Sequence, residues 1–277
     1  MQRTETLRTA IVASCMLLGA CSAAVPVRPP GAPTGQAPSV RHVIAVLEAR
    51  DEALSPFRAE ARLDYRSPEQ SFRSTQVVVV RAPSSARIDV RNPFGISYSV
   101  ATDGRSLAAF DRRQNVFHRG DATPESFRRF LGIPLGANEM AAILRGFPPA
   151  LGESRWNPLQ ATPGGWHMQR RLSGGGTQEV TLSETTLLPL RVEIAGDRVR
   201  RDVVVQFEDY RDVRGVPVPH RTRATFRDGT VVELVYRSVE RQAPVPEDAF
   251  RLVPPTGAKV LDIEEEQAGD AEGPDAP

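Results

Sequence analysis

Between residues 59 and 239 the chain returns again and again to one pattern, in which short runs of alternating apolar and polar residues are separated by turn residues. Ala59-Glu60-Ala61-Arg62-Leu63-Asp64-Tyr65 alternates cleanly, and Ala86-Arg87-Ile88-Asp89-Val90-Arg91 puts Ala86, Ile88 and Val90 on one face. A period of two places successive side chains on opposite faces of a strand, so these runs form a sheet with one face in a core. Gln76 to Arg81 is instead a continuous valine run, which predicts a strand covered on both faces. Ile96–Ala101 and Ser106–Asp111 flank Asp103-Gly104, a hairpin cue because both residues tolerate positive φ. A short piece near Val116 follows, and the second half adds Gly165–Leu172, Gln178–Ser183, Leu188–Ala195, Arg200–Tyr210, Val216–Arg227 and Thr230–Val239. The expectation is a mainly β (α+β) fold: one curved antiparallel sheet of about eleven strands forming an incomplete barrel.

Helical signals frame and interrupt the strands. Ser39 can cap a helix whose apolar face carries Val43, Ile44, Val46, Leu47 and Leu54. Thr123-Pro124-Glu125 is a cap followed by proline at the first helical position, leading into Phe127, Phe130 and Leu131. A further helix, roughly Asn138 to Arg145, presents Met140, Ile143 and Leu144 before Pro148-Pro149. These helices are expected to cover the concave face of the sheet.

The first residues have a different character. Arg3 and Arg8 precede an apolar run from Ala10 to Leu18, and Leu18-Gly19-Ala20-Cys21 reads as a bacterial lipoprotein cleavage box. The apolar run is too short for a bilayer, which needs about 20 residues. Residues 1–20 are therefore expected to be a signal peptide, with Cys21 carrying the lipid that binds the protein to a membrane. Ser22 after the cysteine points to the periplasmic face of the outer membrane. Residues 21–39 are rich in proline and read as a tether, residues 40–263 as the folded domain, and 264–277, with six acidic side chains and no aromatic, as a disordered acidic tail.

Chemistry is sparse. Cys15 falls within the signal, so an acylated Cys21 leaves no disulfide, thiol nucleophile or cysteine metal site. His42, His118, His167 and His220 are scattered, without the spacing of metal ligands. Trp156 and Trp166 are read as packing residues. No nucleophile elbow or phosphate loop occurs; Gly174-Gly175-Gly176 reads as a turn. A formal net charge of +1 gives no electrostatic case for nucleic acid. The expected function is non-enzymatic, without cofactor or metal.

Three motifs in order carry a family resemblance. They are Asn92-Pro93-Phe94-Gly95 after an alternating strand, Phe130-Leu131-Gly132-Ile133-Pro134-Leu135-Gly136, and Ile143-Leu144-Arg145-Gly146-Phe147-Pro148. This order resembles the LolA/LolB superfamily of lipoprotein carriers, and within it most the outer-membrane receptor branch, LolB. The closing stretch Pro246 to Pro254 looks more like the carrier side. The resemblance implies an incomplete barrel enclosing an apolar cavity for lipoprotein acyl chains, with cargo received from a periplasmic carrier and passed on by mass action. It implies a membrane-insertion loop at Pro93, Phe94 and Gly95. The residues placed as candidate cavity lining are Ile88, Val90, Phe127, Phe130, Leu131, Met140, Ile143 and Leu144; as read from the pattern alone, the helical ones are a lid over lipid or an ordinary core, with core the default. Phe94 likewise either projects toward a membrane or folds back onto the core. The expected partners are acylated lipoproteins or lipid, and the expected state is monomeric. Two alternatives stand beside this: a lipid-binding or scaffold lipoprotein of the same fold without a transfer role, and an envelope hydrolase using carboxylates that sequence does not bring together.

Overall fold

The structure, a computed structural model, describes residues 31–152, 155–172, 175–196 and 202–263. Cys21, the signal segment, the start of the tether and the acidic tail lie outside the described residues.

Helix α1 (Val40–Leu54) begins at Ser39, whose Oγ accepts the His42 N–H. The first half of the sheet follows as β1 (Phe57–Arg66), β2 (Ser71–Arg81), β3 (Ser85–Asn92), β4 (Gly95–Thr102), β5 (Ser106–Asp111) and β6 (Val116–Asp121). Two helices interrupt the strands. Helix α2 (Pro124–Leu131) is capped by Thr123, and α3 (Ala137–Arg145) starts where Glu139 reaches back to the Gly136 N–H. The second half comprises β7 (Gln160–Thr162), β8 (Gly165–Arg171), β9 (Thr177–Leu182), β10 (Pro189–Ala195), β11 (Val203–Val213), β12 (Val216–Phe226) and β13 (Val231–Arg241), and β14 (Lys259–Asp262) closes the series.

Among the described residues these strands form one sheet in the order β14-β6-β5-β4-β3-β2-β1-β13-β12-β11-β10-β9-β8-β7. The sheet curves without closing, so it is an open barrel with β14 and β7 at its edges. Within each half, neighbouring strands follow one another along the chain. The halves meet at one seam, where β1 pairs with β13 from Phe57↔Arg241 to Arg66↔Val231. All pairs are antiparallel except β14 with β6, which is parallel. The four-residue β14 and the three-residue β7 are the strands the pattern did not predict; both are too short to show periodicity.

The helices lie on one face, and two apolar clusters fill the space beneath them. Leu54, Phe57, Ala61, Val78, Val80, Phe127, Met140 and Leu144 belong to the cluster against the first half, and Val43, Leu47, Ile143, Trp166, Val180, Val192 and Phe207 to the cluster against the second. Helix α3 contributes to both, since Met140 and Leu144 face one cluster and Ile143 the other. Trp156 and Trp166 are buried, with their indole N–H groups donating to Leu151 O and Glu184 O, as packing residues do.

The opposite face of β2 and β3 is crossed by residues 243–258. Arg81 lies over the Phe250 ring at 5.0 Å and donates to Val245 O, and Arg87 donates to Ala249 O. The valine run is thus flanked on both sides, with Val78 and Val80 in the core and Val77 and Val79 turned toward this crossing segment. At the other end, Ala32 is buried and the Thr34 N–H donates to Glu184 Oε1, so the described end of the tether lies against the domain.

Candidate functional site

The two clusters do not fill all the space between sheet and helices. A cavity of about 600 Å³ lies between the inner faces of β1–β4 and β13 on one side and the α2–α3 connection on the other. Its walls follow from the period of the strands. Leu63 and Tyr65 of β1, Ile88 and Val90 of β3, Tyr98 and Val100 of β4, and Val232 and Leu234 of β13 point inward at alternate positions.

The helical wall comes from the last turn of α2 and from α3. Phe130 and Leu131 line the cavity, followed by Gly132 and Ile133, and Met140 and Leu144 complete it. Gly132 caps α2 in the left-handed conformation with φ +71°, and a Cβ there would lie 2.7 Å from Tyr65 Oη. The glycine therefore both stops the helix and lets the chain pass close to the sheet.

Of the eight residues read from the sequence as lining, Ile88, Val90, Phe130, Leu131, Met140 and Leu144 face this cavity. Phe127 does not; it is fully buried as part of the core. Ile143 lies beyond, in a separate void of about 50 Å³ that also touches Met140, Leu144, Val232 and Leu234. Thr222 borders that void, and its buried hydroxyl has no hydrogen-bond partner among the described residues. Phe72 and Gln76 were not singled out, although both precede or begin the valine run on β2. Leu63 and Tyr65 were legible as alternating residues; nothing in the sequence marked them as lining a space.

Polar residues also belong to the lining. Glu69 and Gln70 of the β1–β2 turn and Arg128 and Arg129 of α2 border the cavity, and all four are exposed. Phe72, about half exposed, stacks on Tyr65 with ring centroids 4.9 Å apart. Behind Phe130, His118 packs at 4.9 Å. The Tyr98 phenol is pushed up by burial and by nearby Asp111, so it stays a hydrogen-bond donor, 3.5 Å from Phe130 O.

Pro93, Phe94 and Gly95 stand apart from the cavity at the tip of the β3–β4 hairpin. The Phe94 N–H donates to Asn92 Oδ1 at 2.9 Å, and Gly95 takes φ +118°, which together hold the tight turn. Phe94 is 97% exposed, so it projects into solvent instead of folding back.

The histidines remain apart: His42 is exposed, and buried His220 bonds Val218 O through Nδ1. Among the described residues no group of three or more His, Cys, Asp or Glu is placed to hold a metal ion. No described helix is long and apolar enough to cross a membrane.

No family model matches the sequence, and neither does any curated protein. Solved structures do match in fold. A domain named for outer membrane lipoprotein sorting, from Vibrio parahaemolyticus, superposes with a TM-score of 0.58 at 14% identity over 76% of this chain and 97% of its own. A DUF1329 family protein from Desulfovibrio piger gives 0.58 at 13% identity, over 78% and 98%. A LolA superfamily protein from Nitrosomonas europaea gives 0.55 at 14% identity, over 78% and 99%. At these identities the likeness is one of fold, to LolA-superfamily and DUF1329 proteins at large and not to the receptor branch in particular.

Proposed function

We propose that this protein is a lipid-anchored acyl-chain binder of the bacterial envelope that takes up the acyl chains of lipoproteins and helps to place them in the outer membrane. The observation that carries this proposal is the cavity of about 600 Å³, walled by apolar side chains between an open sheet and its covering helices. Each methylene buried there contributes about 0.8 kcal/mol, so even part of an acyl chain is held firmly. Cys21 localises the domain, the segment between Cys21 and Ala32 spaces it from the bilayer, and Phe94 touches the membrane during transfer. The protein acts as a monomer on the periplasmic face, receives cargo from a periplasmic carrier, and uses neither cofactor nor catalysis.

Mass spectrometry of what co-purifies with the full chain tests the binding step, and the expected result is an acylated species. Depletion in cells tests the transfer step, because loss of a delivery protein strands other lipoproteins on their carrier. A cavity that co-purifies with free lipid, with no lipoprotein stranded on depletion, would make this a lipid-binding relative of the same fold.

A further inference from the structure

The inward face of β2 carries a buried polar exception. Phe72, Ser74, Gln76, Val78 and Val80 share that face, and along it exposure falls from 47% at Phe72 to 6% at Gln76 and 0% at Val78 and Val80. Phe72, Ser74 and Gln76 line the cavity, whereas Val78 belongs to the core. Strand pairing sets Gln76 between Ala61 of β1 and Val90 of β3, with Tyr98 of β4 next in the row. An aliphatic side chain there would continue the valine run and fill the row. A glutamine instead carries a primary amide into an apolar wall, which is unfavourable unless the amide is hydrogen-bonded.

The bonding of Gln76 falls short of what burial requires. Its amide has two N–H donors and a carbonyl acceptor, yet among the described residues it makes one side-chain bond, from Nε2 to Ser74 Oγ at a long 3.4 Å. At least one N–H is left for whatever occupies the cavity, and the Ser74 O–H beside it is left as well. The other polar side chains of the lining are placed differently. The Tyr98 phenol is 3.5 Å from Phe130 O, Tyr65 Oη abuts Gly132, and those of the β1–β2 turn and of α2 are exposed. An alkyl chain lying across Gln76 strips water from the amide and returns nothing, whereas a ligand carbonyl accepts the N–H. We infer that the cavity takes in the carbonyl of its acyl ligand together with the hydrocarbon, the carbonyl oxygen accepting from Gln76 Nε2 with the Ser74 hydroxyl beside it. The ligand is thus an acyl ester or amide, bound with its linkage inside the wall.

This assignment rests on the cavity being an acyl site, and the test separates the two. The full chain is loaded with the neutral fluorescent probe N-phenyl-1-naphthylamine, then titrated with monopalmitoylglycerol or with the hexadecyl ether of glycerol. The two lipids share head and chain length and differ in one carbonyl. The ratio of ester to ether displacement is expected to be about tenfold higher in the parent than in Gln76→Met, the discrimination of one neutral hydrogen bond. Comparing the ratio between proteins cancels the unequal solubility of the lipids. Methionine matches the length of glutamine, and Gln76→Met should melt at or above the parent, since an apolar group replaces an underused buried amide. Ser74→Ala should lower the ratio by less. With the ester carbonyl isotope-labelled, its infrared stretch in the parent complex should lie below that of the same ester in hexadecane, a reading that needs no variant. A stretch equal to that in hexadecane, or a ratio unchanged by Gln76→Met, would overturn the assignment and leave the acyl site standing. A ratio lost in Tyr65→Phe instead would overturn it in favour of that phenol. Displacement by neither lipid would remove the acyl site and this inference with it.

Discussion

Arg145 and Asp51 join α3 to α1 through a two-point ion pair, with Nε 2.6 Å from Oδ1 and Nη2 2.9 Å from Oδ2. The guanidinium is 2% exposed and also donates from Nη1 to Ala141 O, so its donors are matched on both helices. Asp51→Ala leaves that buried charge without its carboxylate. The expected loss is about 3 kcal/mol, measured by urea unfolding. A loss under about 0.5 kcal/mol would mean that the helix layer does not depend on the pair.

Filling the cavity separates binding from folding. Val90 is half-buried, and its side chain ends in open space beside Tyr98. Val90→Trp should weaken binding of a fluorescent acyl probe at least tenfold while circular dichroism and melting temperature stay close to those of the parent. Undiminished binding would move the acyl site elsewhere.

Thr222 offers a test of opposite sign. Its hydroxyl is buried against a void lined otherwise by apolar groups and finds no partner among the described residues. Replacing an unsatisfied hydroxyl by a methyl of the same shape removes a desolvation penalty, so Thr222→Val should stabilise the protein by about 1 kcal/mol in thermal or urea unfolding. Destabilisation would reveal a polar partner, such as an ordered water.

At the hairpin tip, Phe94→Glu should leave stability within about 0.5 kcal/mol, because the side chain makes no buried contact. With Cys21 also replaced, so that no lipid anchor masks the effect, vesicle flotation should fall by about ten- to a hundredfold, the value of transferring one phenylalanine of about 1.5–3 kcal/mol. Equal flotation of the two proteins would remove Phe94 from the membrane contact.

Acid should destabilise the fold in a defined window. Asp64 is held below the usual carboxylate range first by the hydrogen bond from Arg73, Asp103 first by the Ser106 N–H, and Asp202 first by the Gly196 N–H. Folded values lower than unfolded ones mean that the stabilisation is complete above the unfolded pKa, about 3.9. It is lost as pH falls through the folded values. Unfolding free energy should therefore be flat from about pH 5 to 7 and decline below about pH 4, with a shallower decline in Asp103→Asn. An equal slope in the variant would dissociate Asp103 from acid sensitivity.

The sheet was legible in the sequence wherever one face was apolar and the other polar, because alternation in β1 and β3 records that asymmetry. Helix starts were legible for a local reason, since Ser39 and Thr123 mark their own helices through side chain to backbone bonds. What failed was long-range. Lys259–Asp262 has no pattern of its own and becomes a strand only through Val116–Arg119 of β6. The cavity was half visible for a related cause. Apolar spacing identifies which residues face inward, but it does not distinguish a filled interior from an empty one. Phe127 and Phe130 look alike in sequence, yet one fills the core and the other borders open space. Arg128 and Arg129 pass for ordinary solvated charges until the fold places both beside the cavity.

The seam between β1 and β13 imposes an order in time. A chain emerging from its first residue can pair β1 through β6 from neighbours, but the free edge of β1 waits for residues 231–241. The outer edge of β6 waits longer still, for residues 259–262. Pairings so remote in the chain form late and slowly. The molecule thus remains an incomplete sheet, with one edge of its central strand β1 unpaired, until residue 241 is free of the machinery that makes or moves it.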